Sequence, residues 1–154
     1  MSATPETLEA APVPMAAVVG YDRIDCSEED TGEDKLVLKH DRFFGIVTTP
    51  GDIAPAGRCS LGLFHDDTRI LSGSLLTVAG GPPRLLSAEA PRTYAAQIDL
   101  AVKDLPFGGD PWDPKHAVHI RRELVLSDRL AERVTLTNYL RQPLPYWLEC
   151  IAFP

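Results

Sequence analysis

From Lys35 onward the sequence breaks into short runs rich in β-branched and aromatic residues. Glycine, proline and aspartate separate these runs at intervals too short for helices of ordinary length. This punctuation predicts an all-β chain. Lys35 to Lys39 and Phe43 to Thr49 read as a hairpin joined through His40 to Arg42, with Pro50, Gly51 and Asp52 closing the second run. Gly62 to His65 and Ile70 to Val78 follow. A turn over Ala79 to Pro83 then returns the chain as Arg84 to Ala88, the expected partner of Ile70 to Val78. Thr93 to Val102 would tolerate a helix at Ala95, Ala96 and Gln97, but Tyr94, Ile98, Leu100 and Val102 fall on one strand face and favour a strand.

The last three runs are the clearest. In Ala117 to Leu126 the residues Val118, Ile120, Leu124 and Leu126 alternate with His119, Arg121 and Glu123, as in a sheet with one wet face. Arg122 is the lone exception to that alternation. Leu130 to Tyr139 repeats the pattern after Ser127 and Asp128, which predicts a hairpin. Tyr146 to Phe153 is a further apolar strand that meets Pro154 with no closing turn, which fits equally an architecture left incomplete at this end and one in which Phe153 and Pro154 pack under a neighbouring loop. Together the runs predict an antiparallel β-sandwich over residues 35–154.

The 154 residues suit one domain, and the formal charge of −7 argues against a surface built to neutralise phosphates, so nucleic acid is not an expected partner. The acidity is concentrated. Residues 1–34 hold nine carboxylates against Arg23 alone, while the remainder has 14 basic and 13 acidic residues. With Pro5, Pro12 and Pro14, this segment reads as a disordered acidic tail. Val13 to Val19 is short, contains Pro14 and follows acids, so neither a secretory signal nor a membrane span is expected. Cys26, Cys59 and Cys150 show no paired spacing, which fits a reducing, cytoplasmic setting.

Two clusters carry candidate chemistry. The densest is Phe64-His65-Asp66-Asp67-Thr68-Arg69. Adjacent Asp66 and Asp67 are poor candidates for a glycosidase pair, whose carboxyls flank the sugar at roughly 5–9.5 Å, and a structural turn is the favoured reading. In it Asp67 would accept backbone N–H groups or pair with Arg69, and His65 would meet a neighbouring backbone group. The second is the loop Pro106 to Pro114, where Trp112 could stack on a sugar or cover a sheet edge. Asp113, His116 and His119 lack the spacing of a metal site, Cys59 has no identifiable base, and no Walker or Rossmann phosphate loop is present. No catalytic residue, metal or cofactor is therefore expected.

The run Gly62-Leu63-Phe64-His65-Asp66-Asp67-Thr68-Arg69-Ile70-Leu71-Ser72 resembles the N-terminal domain of bacterial amylo-α-1,6-glucosidase-type proteins, the glycogen debranching enzymes. The likeness continues through Phe43 to Asp52, Leu75 to Leu86 and Glu132 to Tyr139, covering about Leu36 to Phe153. It implies a supersandwich-like domain preceding a catalytic α/α toroid that supplies the general acid and base. The chain would then be a non-catalytic fragment that packs on a toroid in cis or on a separate chain, with an α-glucan oligosaccharide as a further expected partner. His65, Asp66, Asp67, Thr68, Arg69 and Trp112 are the residues expected at an interface or near substrate. The alternatives are a free-standing sugar-binding or protein-interaction module and, least expected, an autonomous hydrolase.

Overall fold

The structure is a computed structural model that describes residues 35–53, 60–102, 118–140, 143 and 147–154. The expected acidic tail, the Pro106 to Pro114 loop with Trp112, and Cys26 and Cys59 lie outside the described residues. Ten strands form the described fold: β1 (Lys35–His40), β2 (Phe43–Thr48), β3 (Gly62–His65), β4 (Thr68–Leu71), β5 (Gly73–Val78), β6 (Arg84–Arg92), β7 (Ala95–Ala101), β8 (Val118–Leu126), β9 (Leu130–Asn138) and β10 (Leu148–Phe153). All pairings between them are antiparallel.

Three sheets result, ordered β1-β2-β3-β4, β10-β5 and β6-β7-β8-β9. The first two present Leu38, Leu63, Leu76 and Val78 to one apolar cluster. The third closes that cluster with Ala96, Ile98, Leu100, Val118, Ile120, Leu124 and Leu126. This is the expected sandwich. Alternation decides the packing of β8, whose Val118, Ile120, Arg122, Leu124 and Leu126 are all buried while the residues between them reach the other face. A smaller cluster of Val47, Ile53 and Leu61 sits beside the first.

Two expectations about connectivity are corrected. Ile70 to Val78 is not one strand. It breaks at Ser72, so that β4 pairs with β3 while β5 moves into another sheet and is tied back by an Ile53–Ser74 bridge. Arg84 to Ala88 is not the partner of that run either: β5 pairs with β10, and β6 pairs with β7. Ala79 and Gly80 both take positive φ, and after the single Val78–Gly81 bridge Pro82 and Pro83 offer no N–H groups to continue a ladder. β6 carries Pro91 and two register shifts, features suited to an edge strand. The strand readings of Thr93 to Val102 and of the two hairpins β1–β2 and β8–β9 hold.

The His65–Thr68 hairpin turns on Asp66 and Asp67, at φ 47° and 61°. Two left-handed central residues define the turn in which Asn-Gly is ordinarily preferred. Asp67→Gly is therefore expected to raise stability by about 0.5–1 kcal/mol by removing the Cβ penalty. A urea titration checks this, and a lower midpoint would show that the Asp67 carboxylate makes a contact worth more than the strain.

Candidate functional site

Asp66 and its neighbours form a surface cluster at the tips of two hairpins. Arg42, from the β1–β2 turn, donates its Nε–H to Asp66 Oδ1 at 2.6 Å and a terminal amino group to Asp66 Oδ2. The Asp66 N–H reaches the Arg42 carbonyl at 3.3 Å. Hydrogen bonding from Arg42 holds the Asp66 carboxyl below the ordinary carboxylate range. His65 Nδ1 lies 3.6 Å from the same carboxylate, and its ring packs on Phe43 with centroids 4.3 Å apart. Among the described residues the ion pair seen at this turn is that of Asp66 with Arg42 from another hairpin, and His65 meets a ring and a carboxylate. Thr68 and Arg69 are exposed on β4, with Arg69 lying across Gly62, whose added Cβ would come within 2.8 Å of Arg69 Cδ. Trp112 lies outside the described residues.

The most constrained polar group is one the sequence flagged only as an irregularity. Arg122 stands at an inward position of β8 and is 1% exposed. Its Nε–H donates to Glu132 Oε1 at 2.6 Å. One terminal amino group donates to Asp52 Oδ1 at 2.6 Å and to the Pro50 carbonyl at 2.8 Å, and the other to the Gly51 carbonyl at 3.0 Å. Asp52 Oδ1 also accepts the Leu76 N–H at 3.1 Å. Burial works against the Arg122 charge, but the charges of Asp52 and Glu132 and their hydrogen bonds outweigh it and raise the pKa above the usual arginine value. One guanidinium thereby fastens the end of β2 to β8 and β9, with β5 held through Asp52.

The turn receiving it is shaped for the purpose. Gly51 donates to the Thr48 carbonyl at 2.8 Å, the Thr48 N–H donates to the Asp52 carbonyl at 2.8 Å, and the Asp52 N–H donates to Thr48 Oγ1 at 3.1 Å. These bonds direct the Pro50 and Gly51 carbonyls at Arg122. Cys150, on the strand next to β5, has its thiol pKa pushed up by burial and by the Glu132 charge, against the opposing pull of Arg122. A thiol held protonated is a poor nucleophile.

A second polar constellation occupies the outer face of β6-β7-β8-β9. Asp99 Oδ1 accepts Arg121 Nε–H at 2.9 Å and lies 2.8 Å from His119 Nε2, while Asp99 Oδ2 accepts Gln97 Nε2–H at 3.3 Å and Ser87 Oγ–H at 3.5 Å. Burial pulls the Asp99 carboxyl upward, and the bonds from Arg121, Gln97 and His119 overcome it, leaving it below the ordinary range. Sequence reading missed this group because His119 looks toward Asp113 and His116 in the linear chain, whereas register sets it beside Asp99.

Among the described residues no group of three or more histidine, cysteine or acidic side chains could hold a metal, and no helix is long and apolar enough to cross a membrane. Residues 38–152 match the family described as the N-terminal domain of (some) glycogen debranching enzymes. The chain belongs to this family. The Arg122 network, with Asp52, Glu132 and the Pro50–Gly51 carbonyls, lies entirely inside the matched segment of this debranching enzyme N-terminal domain, as do the Asp66 turn and the Asp99 constellation. No curated protein and no solved structure matches the chain.

Proposed function

We propose that this chain is a non-catalytic accessory domain of a glycogen-debranching, α-glucosidase-type protein acting in cytoplasmic carbohydrate metabolism. In this reading it packs on a catalytic α/α toroid, in cis or as a separate chain, and the toroid supplies the acid and base for hydrolysis. The observation that carries the reading is the family match over residues 38–152. The fate of the charged side chains supports it: Asp52 and Glu132 are committed to Arg122, and Asp66 to Arg42. A carboxylate locked against an arginine is poorly placed to exchange protons with a glycosidic oxygen.

The test is to capture the native protein from its source cells with an antibody to this domain, measure the intact mass, and assay α-1,6-glucosidase activity. Activity is expected to travel with a chain or complex well above 16.8 kDa, and the purified 154-residue chain is expected to turn over no α-glucoside. Turnover by the purified chain, or a native product of 16.8 kDa carrying no associated activity, would overturn the reading.

A further inference from the structure

The outward face of the β1-β2-β3-β4 sheet departs from the polar surface usual on the wet side of a sandwich. Register sets Lys39, Phe44, Phe64 and Arg69 in one row across all four strands, with Val37 opposite Ile46 in the row beside it and Lys35 at the start of β1. The two phenyl rings stack with centroids 4.5 Å apart and planes 4° from parallel. Val37 is 59% exposed, Lys39 and Arg69 are exposed, and Phe44, Ile46 and Phe64 are only half-buried. Three cations thus frame an apolar stripe, and none of these positions is acidic. The carboxylates of the flanking turns, Asp41, Asp66 and Asp67, lie beyond one end of the face, where Asp66 is bonded to Arg42. The complement of such a surface is a chain that combines carboxylates with a few apolar groups.

We propose that this face is the docking surface of the chain's own residues 21–34, an intramolecular contact in which carboxylates meet the Lys35, Lys39 and Arg69 charges while Tyr21 and Ile24 lie on the apolar stripe. Charge selects the occupant. Residues 21–34 hold seven carboxylates against Arg23 alone, and they run directly into Lys35, the first residue of β1. Their length suffices: four strands spaced about 4.8 Å apart span roughly 15 Å, whereas a segment of about fourteen residues can extend to about 45 Å. Covalent attachment at the rim of the face gives the segment a local concentration in the millimolar range, so that ion pairs individually weak in water act together. A second copy presenting the same face would instead set cations against cations. The contact is internal to this chain and independent of the accessory role proposed above.

The test is paramagnetic relaxation measured by NMR on the full 154-residue chain. Cys26 lies within the segment, so a nitroxide attached there, with Cys59→Ser and Cys150→Ser, reports where the segment rests. The amides of Val37, Phe44, Phe64 and Arg69 are expected to broaden strongly, and those of Gln97 and Arg121 in the other layer to broaden less. Tethering alone would act on the first residues of β1 without regard to charge. Lys39→Glu is expected to lower the ratio of docked to undocked segment by about threefold or more. A variant carrying Glu28→Gln, Glu29→Gln, Asp30→Asn, Glu33→Gln and Asp34→Asn leaves the face intact and is expected to abolish the broadening at Phe64 and Arg69, with circular dichroism confirming that all variants fold. Equal broadening in both layers, or broadening at Phe64 and Arg69 that survives neutralisation of the five carboxylates, overturns the proposal. So does broadening passed from an unlabelled chain bearing the nitroxide to an isotopically labelled one, since the occupant would then be the segment of a second copy.

Discussion

Arg122→Ala is expected to destabilise the domain by about 3–5 kcal/mol, the range for breaking a buried ion pair by removing one partner. The loss has two sources. Asp52, 4% exposed, and Glu132 would keep their negative charges without the cation that compensates them, and the Pro50 and Gly51 carbonyls would lose their donors. A cavity would also open between the turn and β8. Since a domain of this kind commonly holds only about 5–15 kcal/mol in total, the variant should lose much of its margin. Arg122→Lys should recover little, because a point charge cannot serve a carboxylate on each side and two carbonyls beneath it. Equilibrium urea unfolding measures both variants, and a loss below about 1 kcal/mol for Arg122→Ala would show that the network contributes specificity and little stability.

The second large effect is expected at Gly51, where Gly51→Ala should cost about 2–4 kcal/mol. Two penalties combine. Gly51 has φ 89°, a region that residues with a Cβ rarely enter, and a Cβ built there would stand 2.7 Å from Ile98 Cδ1 and 3.2 Å from Arg122 Cζ. Relief of the clash would push the guanidinium off the Gly51 carbonyl, so the two variants should not be additive. A double-mutant cycle with Arg122→Ala checks this coupling. Equal losses from Gly51→Ala in the presence and absence of Arg122 would count against it.

Most strands were legible because a sheet with one buried face writes its period into the sequence. Val118, Ile120, Leu124 and Leu126 alternate cleanly, and β8 spans them. The pairing of β5 and β6 was not legible. Val78 and Arg84 are close in sequence, which favours a hairpin, but competition from β10 and the barrier of Pro82 and Pro83 depend on distant segments and on missing donors. The Arg122 site was half visible. Its inward parity was readable, yet naming its partners requires knowing that the Pro50-Gly51-Asp52 turn meets β8, information no local pattern holds. The Asp99 group posed the same difficulty, since Gln97, His119 and Arg121 converge only after β7 and β8 are aligned.

The span of the Arg122 bonds also bears on the order in which the chain can mature. Asp52 and its cation are 70 positions apart, and the Pro50 carbonyl contact spans 72. During synthesis the β1–β2 hairpin can form from local pairing, but its far end leaves the ribosome with the Asp52 acid and two carbonyls aimed at a residue not yet made. Only when β8 and Glu132 of β9 have emerged can that end lose its water, so final docking of the two halves is a late event governed by closure of a long loop. Until then the apolar inner faces of the early strands stay open, which is the interval in which the nascent chain is most exposed to misassociation and to chaperone capture.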